Sequence, residues 1–450
     1  MRKAIIYIIL ALGLLFNSCR NEIVQFLPGG ERKSGTWFEP TPYGMVFIPQ
    51  GSFVMGPSGQ NLQSPENMKR VSVASFWMDD TEITNNEYRQ FVYWVRDSIA
   101  RTLLGQTYTD YAIMEDAYGV PLDEPKINWE EEIEWDDPDM RMAMEELYIP
   151  EVERYSFRRE VDSRKLIYDY YWIDYKQAAR PSNSYNFETQ AYEGSVVNAD
   201  GERVPIVNRS SFLMHESIPV YPDTLAWIRD FDYTYNEPFT MKYFSHVGFD
   251  NYPVVGVTWK QARAFCDWRT NLKKTYNSRL NETPAHDYRL PTETEWEMAA
   301  RGGLNNTLYP WGSYYTRNIK GCFVANFKPL RGNYVADSPT TTTAMMVGKF
   351  DPNNYGLYDM AGNVAEWTST AFFESAYDVV HDLNPEMQYE AKPEDPPVMK
   401  RKVIRGGSWK DIAYFIRVST RTFEYQDTAK SYVGFRCVRS SFKSELNSRN

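Results

Sequence analysis

Residues 355–368 read YGLYDMAGNVAEWT, and Asp359, Asn363 and Glu366 place side-chain oxygens at close spacing along them. Gly356 and Gly362 permit backbone angles that other residues avoid, which lets carbonyl groups turn toward those side chains. Carboxylate and carbonyl oxygens mixed along a short path suit a hard cation such as calcium. The same residues suit a polar turn closed by hydrogen bonds from side chain to backbone. Both readings stand on these residues alone.

A stretch this rich in Gly, Asn and Asp makes a poor helix or strand, so regular elements elsewhere must hold it. Three helix starts are legible. Thr84 with Glu87, Thr258 with Gln261 and Thr292 with Glu295 each have the spacing of a capping box. Tyr88, Phe91, Val92 and Val95 recur at helical spacing after the first. TETEWEMAARGG, the third, stops at Gly302. GMVFIPQGSFVMG, from Gly44 and broken at Pro49–Gly51, predicts a hairpin, and VASFWMDDTEIT a strand ending at Thr84. With few helices and short Gly-punctuated segments after them, the chain reads as α+β with much irregular loop. Irregular backbone needs partners for its polar groups, and ions or side chains supply them.

The chain has 450 residues, enough for two or three domains or one with a large insertion. A net charge of −11 argues against a nucleic-acid footprint. Four Cys and four His are too scattered for a zinc site. Arg2 and Lys3 precede a short apolar run, Ala4 to Phe16, that reads as an export signal too short to span a membrane as a mature helix. The run ends FNSC at Cys19. A Cys there resembles a bacterial lipobox, which predicts acylation of Cys19 after loss of the signal (1–19) and a polar tether over 20–43. Ordinary cleavage nearby is the other reading. Acyl chains would supply the membrane attachment.

GMVFIPQGSFVMG, TEITNNEYRQF, PVVGVTWKQARAFCDWR, YRLPTETEWEMAARGG, YPWG, YGLYDMAGNVAEWT, VIRGGSW and VGFRC occur in this order. Together they resemble the formylglycine-generating enzyme, or sulfatase-modifying factor, family. The resemblance implies a C-type-lectin-like α+β fold over 44–440, with an insertion over 93–252 and a tail over 441–450. It also implies calcium held by Asp359 and Glu366 through carboxylates and by Gly362 and Val364 through carbonyls. A second calcium site would use Asn326, Phe327 and Asp337. The family's oxidases hold Cu(I) between two Cys spaced C-x4-C after the GGS motif, and thiolates are apt ligands for that ion. The matching positions here are Asp411 and Ile416, which implies no copper and no catalysis, with Ser408 and Trp409 left to hold the turn. The family also places a disulfide where Cys266 and Cys437 stand. Two buried thiols are the alternative, and Cys322 reads as a further buried thiol.

The insertion is rich in charge and aromatics. Arg158, Arg159, Tyr168, Tyr170, Tyr171 and Trp172 lie close together in it, and such residues favour protein interfaces. The other use for them is to cover the insertion's own core. EPTPYGMVFIPQGSF and the NEPF…YFSH…YPVVGV run, with the lipoprotein signal and the insertion, resemble the K-type lipoproteins of the gliding-motility and type IX secretion machinery. That resemblance implies a non-catalytic, homo-oligomeric ring component, lipid-anchored to the outer membrane and facing the periplasm, with the ring's N subunit as partner and no nucleic acid. Two alternatives are a glycan- or peptidoglycan-binding lipoprotein and an enzyme with a site rebuilt around Ser408, Asp411 and Arg417 or Arg421.

Overall fold

All three capping boxes form in the computed structural model, which describes residues 39–57, 68–116, 118–198, 201–230, 242–280, 282, 285–329 and 343–442. Helix α1 spans Asn85–Gly105, α2 Trp259–Arg279 and α3 Glu293–Arg301, capped by Thr84, Thr258 and Thr292. In each, the Thr side chain accepts from the backbone three residues on, and the Glu or Gln there reaches back to the cap. Gly302 ends α3 at φ +57, a left-handed angle that glycine adopts without strain.

The predicted hairpin does not form. Met45–Ile48 and Gly51–Met55 are both strands, but they pair elsewhere. The first pairs with Phe76–Asp79 and the second with Lys69–Val73, all antiparallel. VASFWMDD accordingly belongs to two strands instead of one. Met45–Ile48 is buried at its two ends and Gly51–Met55 alternates toward its end, and neither pattern says which strand lies opposite.

Two four-stranded sheets frame the domain. One runs Met45–Ile48, Phe76–Asp79, Val438–Ser440, Tyr288–Arg289. The other runs Thr422–Tyr425, Arg401–Arg405, Ala365–Ala371, Val433–Gly434, the last pair parallel. The α+β expectation holds, with long irregular connections between elements. From residue 40 on, the described residues pack as one unit, and among them no helix is long and apolar enough to cross a membrane. The signal, Cys19 and most of the tether lie outside the described residues.

The insertion packs onto the frame. Its Ile167–Ile173 and Leu213–Pro219 form an antiparallel ribbon. Met144, Leu147, Leu166, Tyr168, Tyr170 and Phe244 from the insertion share one apolar cluster with Tyr88, Phe91, Phe265 and Phe435 of the frame. Tyr88 donates its hydroxyl to the Val220 carbonyl at 3.0 Å, and Phe91 meets Tyr168 edge-on with centroids 5.2 Å apart. The ribbon thus covers the side of α1 and α2 that carries Tyr88, Phe91 and Phe265.

Candidate functional site

The stretch 355–368 is held from three sides. Asn353 caps the end of α3, donating to the Ala299 carbonyl at 2.8 Å, and its side-chain oxygen accepts from the Tyr355 and Leu357 amides. Gly362 sits at φ +82, and a Cβ there would lie 2.3 Å from the Asn326 carbonyl oxygen. No other residue fits that approach. Asp359 and Asn363 also take left-handed angles, φ +55 and +58, which Asp and Asn tolerate better than most side chains. These turns bring Asp359 and Glu366 back toward each other.

Glu366 is fully buried. Its carboxylate takes a fork from Arg436, at 2.7 and 2.8 Å, and a third hydrogen bond from the Trp296 indole at 2.7 Å. Asp359 accepts from the Gly348 amide at 2.6 Å. Burial first, and the Glu366 charge in addition, push its carboxyl up to about 6. A third carboxylate, Glu82 of the TEIT segment, joins them without any signal in the local sequence. It is fully buried, accepting from the Val364 amide at 3.2 Å and the Asn363 amide group at 3.0 Å. Burial, then Asp359, then Glu366 drive its carboxyl well above the usual range. Three carboxylates thus face one guanidinium, an excess of negative charge that a divalent cation would balance.

The donors fit calcium unequally. A carboxylate offers about four lone-pair directions. Glu366 has three hydrogen bonds on it and Asp359 one, so Asp359 is the better placed ligand. Among the described residues no group of three or more His, Cys, Asp or Glu side chains gathers to hold a metal by itself. An ion here would therefore draw on the carbonyls of Gly362 and Val364.

Of the second set, Asn326 and Phe327 are described. The Asn326 carbonyl accepts from the Asn363 amide at 2.7 Å and its side chain donates to the Thr343 carbonyl at 3.0 Å, so it ties down the first loop. Phe327 packs in an apolar cluster with Tyr309, Phe323 and Ile416. Asp337 lies outside the described residues.

At Asp411 and Ile416, expected from the resemblance to stand where the copper ligands would be, the chemistry is that of a closed turn. Asp411 accepts from the Ser408 hydroxyl at 2.6 Å and the Ser408 amide at 3.0 Å. Ile416 is fully buried among aromatics. Ser408 is fully buried as well, and Arg421 is committed to Glu293 at 2.5 Å. Trp409 is stacked on Trp227 of the insertion, with centroids 5.9 Å apart and planes 20° off parallel.

Cys266 and Cys437 are both buried, with sulfurs 3.5 Å apart as two thiols. Burial pushes the Cys437 thiol well up, and Cys266 adds to that. Cys322, read as buried, is exposed.

The interface reading of 168–172 needs correction. The segment is a strand, so successive side chains alternate. Tyr168 and Tyr170 point inward and are 7% and 4% exposed. Tyr168 donates to Asp267 at 2.8 Å and Tyr170 to Glu216 at 2.9 Å. Trp172 is half-buried with the Arg263 guanidinium 5.4 Å from its ring centre. Arg158, Arg159 and Tyr171 remain exposed, so Tyr168 and Tyr170 cannot anchor a partner. Tyr170→Phe should lose about 1 kcal/mol of stability with the hydrogen bond to Glu216. Tyr171→Ala should change stability by less than about 0.5 kcal/mol. Urea titration of both variants checks this, and a reversed order would contradict the burial pattern.

A family model described as "Sulfatase-modifying factor enzyme 1-like domain" matches residues 35–140 and 171–441. The unmatched stretch lies inside the insertion. The chain is 36% identical over 193 residues to the "Inactive C-alpha-formylglycine-generating enzyme 2" of Bos taurus, covering 42% of this chain and 50% of the relative. It is 34% identical over 198 residues to the "Formylglycine-generating enzyme" of Bos taurus, covering 42% and 44%. The chain thus spans about half the length of the curated relatives it matches. The solved structure of PvdO from Pseudomonas aeruginosa aligns over 88% of this chain and 94% of its own, at 15% identity and a TM-score of 0.42, too slight a likeness to argue from.

Proposed function

The chain belongs to the sulfatase-modifying factor enzyme 1-like family, and from that membership we propose that it is a non-catalytic member acting as an assembly protein. Inactive and active relatives match it almost equally well, so their names do not decide between them. The observation that carries the reading is the turn at Ser408. Asp411 caps it and Ile416 fills an apolar cluster, so neither position offers the soft thiolate that Cu(I) takes. Incubation with Cu(I), oxygen and a Cys-containing sulfatase peptide should yield no aldehyde. Aldehyde formed at enzymatic rates would overturn the reading.

Within that proposal, the lipobox-like Cys19 and the K-type sequence runs support a lipid-anchored ring component of the type IX secretion machinery at the periplasmic face of the outer membrane. The family's lectin-like fold would form its body. Partners would include other copies of the chain and the ring's N subunit, with Arg158, Arg159 and Tyr171 on the side open to them. Pull-down from membranes tests partner and location together. Capture of the N subunit in fixed ratio is expected. Recovery of a soluble, partnerless protein would defeat the ring assignment and leave the non-catalytic one standing.

Calcium belongs to the same proposal as a structural ion held by Asp359, Glu366 and the carbonyls of Gly362 and Val364. Native-state binding stabilises by about 2.7 kcal/mol at a hundredfold excess over Kd. The sign of the pH effect follows from Asp359. Its folded value, about 6, lies above the ordinary 3.8. Without the ion, its contribution to stability is full below about pH 4 and is lost as pH rises through 6. Glu82 shifts in the same direction. Calcium binds the ionised form, so the rise in melting temperature on adding calcium should be largest at pH 7 and shrink toward pH 5. An increment that is zero at pH 7, or the same at both, would count against the site.

A further inference from the structure

A cleft of about 320 Å³ lies between helix α2, the insertion ribbon and the strand Arg401–Arg405, and shares no lining residue with the carboxylate site or the Ser408 turn. Its size is at the low end for small-molecule sites, about 300–1,000 Å³. Lys402 lines it and is 1% exposed. Its ammonium donates to the Tyr389 carbonyl at 2.6 Å and lies 3.8 Å from the centre of the Trp259 ring. Among the described residues it has no carboxylate in ion-pair contact. The neighbouring cation, Arg263, is already matched by Glu390 at 2.9 Å. Burial, with Arg263 adding to it, lowers Lys402 to about 7.

The same cleft holds the opposite case. Glu386 accepts from the Ser369 hydroxyl at 2.5 Å and from the Gln388 amide group. Both donors are neutral, and among the described residues no cation pairs with Glu386. Lys402 and Glu386 sense each other's charge without meeting. A buried cation and a partly buried carboxylate, each hydrogen-bonded only to neutral groups, are costly to hold apart in a low-dielectric cleft. A ligand charged at both ends would match both. Trp172 and Tyr389, both half-buried, offer flat apolar surface beside them.

We propose that this cleft binds a zwitterion of amino-acid type, a free amino acid or short peptide, with its carboxylate at Lys402 and its ammonium at Glu386. The apolar part of the ligand lies against Trp172 and Tyr389. Charge-assisted hydrogen bonds at both ends then set the selectivity.

The test is calorimetry on the full chain with alanyl-phenylalanine in three forms: both termini free, the amine acetylated, and the carboxylate amidated. The free form should bind, and each block should weaken it at least about tenfold. Lys402→Met should erase the difference between free and amidated forms. Glu386→Gln should erase that between free and acetylated forms. Near pH 7.5, wild-type binding should take up a proton as the ligand holds Lys402 charged, and Lys402→Met should not. Melting curves establish that the variants fold. If Lys402→Met does not, Glu386→Gln on the cleft rim still carries the test. No heat with any form, or equal affinity for all three, overturns the proposal. Glucuronate binding as tightly as the free dipeptide would overturn it too, since that ligand has no ammonium end.

Discussion

Arg436→Met should cost the domain about 3–5 kcal/mol at neutral pH, the usual loss when one partner of a buried ion pair is removed. Arg436 is fully buried. Besides its fork to Glu366, it donates to the carbonyls of Asp79 at 3.1 Å, Asp80 at 3.3 Å and Tyr358 at 2.9 Å. It therefore ties the loop 355–368 to the end of the strand Phe76–Asp79. Methionine fills much of the same volume, so the loss reports charge and hydrogen bonding more than packing. Without Arg436, Glu82, Asp359 and Glu366 face one another with no cation. Arg436 now holds Glu82 and Asp359 lower than burial alone would, and removing it raises both further. Carboxyls raised on folding favour the folded state below their unfolded pKa and cease to as pH rises through the folded one. The penalty should accordingly be larger at pH 7 than at pH 5. Urea titrations at both values measure it, and the double variant with Glu366→Gln should recover part of the loss. A variant as stable as the parent at pH 7 would show that the carboxylate cluster is not held by this pair.

How much of this was legible depended on range along the chain. The capping boxes at Thr84, Thr258 and Thr292 are local devices whose parts lie three residues apart, and all three form. The oxygen-bearing residues of 355–368 were also visible, because their spacing is local. Glu82 and Arg436 were not visible as members of that site. Glu366 and Arg436 are 70 residues apart, and Glu82 reaches Val364 across 282. Nothing in one dimension distinguishes such a pair from two surface charges. The hairpin at 44–56 failed for a related reason. Alternation says which face of a strand is buried but not which strand lies opposite. The burial of Tyr168 and Tyr170 leaves little mark in the sequence. In IYDYYWI only Asp169 interrupts a run of apolar and aromatic residues, so polarity does not assign Tyr168 and Tyr170 to one face and Tyr171 to the other. Composition suits an interface and a packed ribbon alike, and the pairing with Leu213–Pro219 is what divides those aromatics. Lys402 gave no sign at all, since RKVIR reads as an ordinary strand with charged ends.

Closing a bond between Cys266 and Cys437 should stabilise the domain by about 4–5 kcal/mol relative to the dithiol form. The two residues are 171 apart. In the chain-entropy view a cross-link closing so long a loop removes much of the unfolded chain's freedom, less whatever strain the native state takes on. The folded chain has already done most of the positioning, with the sulfurs 3.5 Å apart. Cys266 stands on α2, four residues before Thr270, which accepts the Tyr288 amide at 2.9 Å. Cys437 donates its amide to Asp79, which Arg269 of the same helix also contacts at 2.8 Å. Helix and strand are thus joined on both sides of the sulfur pair, so the bond would lock an arrangement that forms without it. The cleft gives an oxidant a route, because Cys266 lines it while Cys437 sits behind. Protein recovered from an oxidising compartment should show one alkylatable thiol among these three under denaturing, non-reducing conditions, the exposed Cys322. Reduction should lower the urea midpoint markedly, and Cys266→Ser with Cys437→Ser should reproduce the reduced value without further response to reductant. Three alkylatable thiols, with a midpoint indifferent to reductant, would establish the pair as packed thiols and nothing more.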